Sequence, residues 1–197
     1  DPVFPGGVDV VDFPTPQSVV LFGQPGIGQD DPDFFAAFIL DHILGGGGFE
    51  SRLMTEVREK RGLTYGIYTY LADRDYAQFW GGSVASANDR VAEAVEVIRA
   101  EWARLQTEGV SAEELQNAKT YLTGAYPLRF DGNGTIANII VGMQVRGLPI
   151  DYAATRNDKV NAVTLEDVNR VARDLLDPEA LSFVVVGQPV GLMETSN

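Results

Sequence analysis

Cysteine is absent from this chain, histidine occurs once, at His42, and no apolar run reaches membrane length. Without cysteine there is no disulfide framework and no thiolate cluster, and one histidine cannot complete a zinc site built on paired histidines. His42 stands in ILDHILGG, flanked by apolar residues on a predicted helix, the setting of a packed side chain rather than a ligand. No metal and no cofactor is expected on this chain. A membrane-spanning helix needs roughly 20 apolar residues in succession, so no span is expected either. Basic residues are scarce too: 15 Lys and Arg stand against 28 Asp and Glu, a net charge of −13. That balance opposes nucleic acid and anionic membrane as partners. It would steer basic peptides favourably, although acidity that serves only solubility is the plainer reading.

What the chain does contain, 197 residues of which 45% are hydrophobic, is enough for one compact domain with a sizeable core. The first 16 residues lie in a Pro- and Gly-rich lead, DPVFPGGVDVVDFPTPQ, which opens without an initiator methionine and reads as a linker. A fragment or processed product is expected on that reading. The domain proper is expected over residues 17–190, with a tail over 191–197.

Coarse patterning predicts a strand over residues 17–22 and a helix entered at Asp31 and Pro32, a favoured cap order. A second helix follows over 50–60, then a hairpin of strands over 63–71 and 76–85 joined by ADRD. Helices are predicted over 88–106, from Ser111 to about 127, over 134–146 and over 164–176, two of them opening with capping boxes, Ser111 with Glu114 and Thr164 with Asp167. Residues 181–186 read as a buried closing strand. Few strands, long intervening helices and a hairpin indicate an α+β fold, an antiparallel sheet covered on one face by helices. Asn133-Gly134-Thr135 matches a glycosylation sequon, but DGNGT is also a good turn into a helix.

The densest information lies in residues 44–70, LGGGGFESRLMTEVREKRGLTYGIYTY, a glycine run, a charged helix and an aromatic strand in succession. The run from Gly45 to Gly48 is not a phosphate loop, because no Gly-Lys-Ser/Thr follows and it joins two helices. Arg58 closes the helix and Tyr65 opens the strand. Arg offers a permanently charged planar donor set and Tyr one phenolic donor, so together they can hold carbonyl oxygens of a peptide backbone near neutral pH. The plainer alternative pairs Arg58 with Glu56 or Glu59 at the surface and half-buries Tyr65 in the strand. Lys60 and Arg61 add a small basic spot, open to a substrate carboxylate or to the same two glutamates.

Three stretches, FFAAFILDHILGGGGFESRLMTEVREKRGLTYGIYTY, SAEELQNAKTYLTGAYPLRF and SFVVVGQP, resemble the second, metal-free domain of pitrilysin- or insulinase-type zinc peptidases, the inverzincins. The resemblance runs along the whole chain. It implies the mitochondrial processing peptidase-like metallohydrolase fold. In this family homologous domains pair: one carries HxxEH and binds zinc, and the other supplies an arginine and, seven residues later, a tyrosine. Arg58 and Tyr65 have that spacing. The resemblance therefore implies the non-zinc half of a zinc metalloendopeptidase, inactive as an isolated domain, with zinc on an HxxEH-bearing partner domain or subunit and an extended peptide as substrate. Gly46, Gly47 and Gly48 would contact that substrate, or serve only as a helix-to-helix turn. The alternative is a catalytically inactive scaffold or peptide-binding subunit of the same fold. A periplasmic location is the expectation that resemblance carries.

Overall fold

The computed structural model describes residues 3–195. A five-stranded sheet in the order β1-β5-β2-β4-β3 forms the frame. It is built from β1 (Gly7–Asp12), β2 (Gln17–Pro25), β3 (Ile67–Arg74), β4 (Ala77–Ala87) and β5 (Ser182–Gly187). The helices are α1 (Phe34–Asp41), α2 (Val91–Glu108), α3 (Ala112–Leu128), α4 (Asn133–Val145), α5 (Tyr152–Ala162) and α6 (Leu165–Leu175). This is the expected α+β architecture, with β3 hairpinned to β4 and both β4 and β5 antiparallel to β2.

Two departures from the expected layout have clear causes. The stretch read as a linker contains β1, which runs parallel to β5 from Gly7 beside Ser182 to Asp12 beside Gly187. Its partner lies at the far end of the chain, so no local pattern announces the pairing. Thr195 accepts from Val8 N through its hydroxyl at 3.0 Å and donates its own N–H to Val8 O at 2.9 Å, so the expected tail is fastened to this edge as well. Residues 1–2 and 196–197 of the lead and tail fall outside the described residues. The second departure is at α1, which begins at Phe34 rather than Asp31. Asp31 Oδ1 accepts from Asp33 N at 2.8 Å in a turn ahead of the helix, and Asp33 is gripped by both Arg170 terminal nitrogens at 2.7 and 2.6 Å.

Alternation along the strands sends Val20, Phe22, Val84, Phe183 and Val185 to the helix-covered face, all nearly sealed from solvent. Trp80 and Trp102 meet there at 5.3 Å between ring centroids, and Phe22 stands edge-on to Trp102 at 6.1 Å. The opposite face keeps Val19, Leu21 and Tyr68 exposed. Ser111 and Thr164 form the two expected capping boxes. Among the described residues no helix is long and apolar enough to cross a membrane.

Candidate functional site

The site begins with the glycine run. After α1 the helix widens into a π turn over His42–Gly46 and then tightens into a 3-10 turn over Gly48–Glu50. A Cβ at Gly45 would lie 2.5 Å from Thr69 Oγ1 and 3.0 Å from Thr69 N, so only glycine lets this turn lie against β3. Gly48 has φ +64 and open space around it, so its requirement is conformational rather than steric. Gly46 is exposed, and Gly47 sits over His42. His42 is half-buried and stacked on Tyr121 at 5.0 Å, and burial holds its imidazole below the usual range. Those contacts make it a packing residue.

The run delivers Phe49 to the surface, and Arg58 lies over the Phe49 ring with its guanidinium carbon 4.7 Å from the centroid. Arg58 stands on a π-helical segment, Met54–Glu59. That segment is fixed at its start by Arg52, which donates to Glu114 at 2.7 and 2.9 Å and to Gly109 O at 2.9 Å. The expected surface pairing of Arg58 does not occur. Glu56 is taken by Lys60 at 2.5 Å and Arg61 at 2.7 Å, two bonds that hold its carboxyl below the usual carboxylate range. The Arg58 side chain makes no ion pair or hydrogen bond among the described residues, which leaves its donor edge free while its face rests on the Phe49 ring.

Tyr65 does not open the strand. Gly62, at φ +60, turns the chain out of the helix, and β3 starts only at Ile67. Between them the Thr64 hydroxyl donates to Ala85 O at 2.7 Å and accepts from Gly66 N at 3.1 Å, pinning a turn with Tyr65 at its tip. Tyr65 is 90% exposed, not half-buried, and its hydroxyl bonds to nothing among the described residues. The strand it leads into is an edge: β3 pairs with β4 on one side only. Tyr65 thus leads directly into a sheet edge, and Arg58 stands on the helical segment ahead of it, both with their side-chain donors unengaged among the described residues.

Beneath the run sits a group that the sequence did not flag. Asp41, 7% exposed at the end of α1, accepts at Oδ1 from Thr69 Oγ1 and Trp80 Nε1, each at 2.7 Å. Burial pushes its carboxyl from 3.8 up to about 6, against the pull of those two bonds. The folded state therefore holds this proton more tightly than the unfolded chain. The resulting stability is fully present below pH 3.8 and is lost as pH rises through about 6. Asp41→Asn keeps the acceptor and removes the charge. It should raise stability at pH 7.5 by on the order of 2 kcal/mol and flatten the stability profile between pH 4 and 7. Thermal melts across that range check this, and an unchanged profile contradicts it.

Among the described residues no group of three or more His, Cys, Asp or Glu is placed to hold a metal ion.

Comparison with known proteins identifies the family of this fold. The family described as Peptidase M16 inactive domain matches residues 1–122. A Streptomyces coelicolor protein described as an uncharacterized zinc protease is 30% identical over 87% of this chain and 37% of its own length. A Helicobacter pylori protein described as a non-peptidase homolog is 27% identical over 87% of this chain and 40% of its length. The chain thus spans less than half the length of these relatives. A solved peptidase M16 inactive domain from Pseudomonas fluorescens superposes with a TM-score of 0.84 at 28% identity, over 98% of this chain and 45% of that one. Fold, matched region and relatives converge: this chain belongs to the inactive-domain family of the M16 zinc peptidases.

Proposed function

We propose that this chain is the non-zinc half of a zinc endopeptidase, and that it lends Arg58 and Tyr65 to a site completed by an HxxEH-bearing homologous domain or subunit. The observation that carries this reading is the pair itself: two polar side chains seven residues apart, neither in a hydrogen bond or ion pair among the described residues, with Tyr65 leading into an open sheet edge. A surface serving only solubility has no need to hold an arginine clear of nearby carboxylates while its neighbours Lys60 and Arg61 engage Glu56.

On this reading an extended peptide aligns along an exposed strand edge through main-chain hydrogen bonds. The Arg58 fork holds a backbone carbonyl, and its stacking on Phe49 limits the freedom it must give up on binding. The Tyr65 phenol donates to the scissile carbonyl oxygen, where negative charge develops. Metal and general base belong to the partner, which would supply the attacking water. Gly46, Gly47 and Gly48 would contribute a low rim past which substrate backbone can approach.

Arg58→Ala in the assembled pair should raise KM about tenfold or more, the loss of one charge-assisted hydrogen bond to a carbonyl, with a smaller effect on kcat. Steady-state kinetics with a fluorogenic peptide reads this. Unchanged KM removes Arg58 from substrate contact. A second reading, an assembly or peptide-binding subunit without catalysis, draws on the likeness to the relative described as a non-peptidase homolog. It predicts that both Arg58 and Tyr65 are dispensable.

A further inference from the structure

A cleft of about 2120 Å³ opens between α1, α4, α5 and the β3–β4 turn, and neither Arg58 nor Tyr65 lines it. Its volume exceeds that of an ordinary small-molecule pocket and has room for several peptide residues. The wall formed by α1, α3 and α5 is aromatic, with Phe35 stacked on Tyr152 at 6.5 Å and Phe34 stacked on Phe38 at 6.0 Å. Set into that wall is Arg156, 6% exposed. Its guanidinium carbon lies 4.5 Å from the Tyr126 ring centroid and 5.2 Å from that of Phe38.

A buried guanidinium ordinarily has a carboxylate partner, because removing an unpaired charge from water is costly. Arg156 has none among the described residues. Its Nη1 donates to Leu122 O at 2.8 Å and to Asn157 Oδ1 at 3.0 Å. Nε and Nη2 bond to nothing among the described residues, yet they are not sealed like Arg52 Nη1, so they open on the cleft. The Tyr126 hydroxyl is sealed from solvent with no hydrogen-bond partner among the described residues, so it lies out of reach of a molecule in the cleft. Arg129, at the end of α3, adds a second positive charge that disfavours the charged form of Arg156, after the larger effect of burial. Acidic residues line the cleft ahead of α1, at its end (Asp41), at the β3–β4 turn and on α6 (Asp167); Asp33 is held by Arg170, and Asp41 by Thr69 and Trp80.

We propose that this cleft is a carboxylate-binding site for peptides, in which Arg156 receives the carboxylate through Nε and Nη2 and the Phe34, Phe35 and Phe38 wall receives an adjoining apolar side chain. Two free guanidinium donors suit a planar two-oxygen acceptor, and the aromatic surroundings favour an apolar residue next to it. Arg156 faces a carboxylate here, whereas Arg58 at the sheet edge faces backbone carbonyls. This site lies apart from the hydrolytic role proposed above and is tested by binding alone.

The test is calorimetric titration of the chain at pH 7 with three acetylated pentapeptides. One ends in phenylalanine with a free carboxylate, the second is its amide, and the third is an amide with glutamate replacing the terminal phenylalanine. The free acid is expected to bind at least tenfold more tightly than its amide, and the glutamate peptide tells whether a side-chain carboxylate serves equally. Arg156→Met should abolish the advantage of acid over amide. The three-peptide comparison on the unsubstituted chain reads the same preference even where Arg156→Met fails to fold. Equal affinity for all three peptides, or no binding of any, overturns the proposal.

Discussion

Tyr65→Phe is expected to lower turnover of a peptide by the assembled pair about a hundredfold or more, with little change in KM. The ring stays and only one donor goes. Its hydrogen bond matters most where the carbonyl oxygen has become negative, and removing one donor of this kind costs about 3 kcal/mol of transition-state stabilisation. A ground-state contact would show instead in KM. Tyr65 is 90% exposed and makes no hydrogen bond among the described residues, so the substitution leaves the fold unperturbed and a loss of rate can be read as chemistry. The pinning of its turn by Thr64 gives a companion expectation: the tyrosine is placed by the turn, not by its own packing. Turnover within twofold of the parent in Tyr65→Phe would remove it from the reaction.

Gln24→Met should lower stability by about 4 kcal/mol, near a 10 °C fall in melting temperature for a domain of this size. Gln24 is 1% exposed and is the polar hinge of the core. Its Oε1 accepts from Trp102 Nε1 at 2.5 Å and Asp177 N at 3.0 Å, while Nε2 donates to Leu175 O at 2.6 Å. One side chain thereby ties β2 to α2 and to the end of α6. Methionine fills the volume but leaves two donors, Trp102 Nε1 and Asp177 N, and two acceptors, Leu175 O and Pro25 O, without these partners, and each loss that stays buried costs roughly 1–3 kcal/mol. A fall of less than about 3 °C would mean that water or a shifted backbone satisfies those groups.

The elements whose patterns are local were legible in the sequence, and those that depend on distant partners were not. Both capping boxes and the β3–β4 hairpin follow from short-range chemistry and stand where expected. The strand β1 hides among Pro5, Gly6, Gly7 and Pro14, and its only sheet partner, β5, begins at Ser182. Helix α5 was missed because the inward stripe it buries, Tyr152, Arg156 and Val160, carries a cation at its middle and so breaks the apolar pattern. That interruption was itself the signal for the cleft. Asp41, next to His42 in an apolar run, likewise marked a buried carboxylate, but Thr69 and Trp80, which satisfy it, come from strands that only the fold brings near.

For the candidate site, the spacing of Arg58 and Tyr65 was visible, but the state of each side chain was not. Sequence proximity favoured a surface pair between Arg58 and Glu56, and the geometry gives Glu56 to Lys60 and Arg61 instead. Phe49, nine residues before Arg58, had no local reason to be its neighbour until the glycine run folded back. The glycines are explained by contact at Gly45 and by backbone angle at Gly48, requirements that composition alone cannot separate.

Hydrolysis of an extended fluorogenic peptide is to be compared for this chain alone, a homologous HxxEH-bearing domain alone, and their mixture. Turnover is expected only in the mixture, abolished by a chelator and restored by zinc. A mixture that forms a stable complex yet cleaves no peptide would contradict that expectation and assign the chain to the scaffold class.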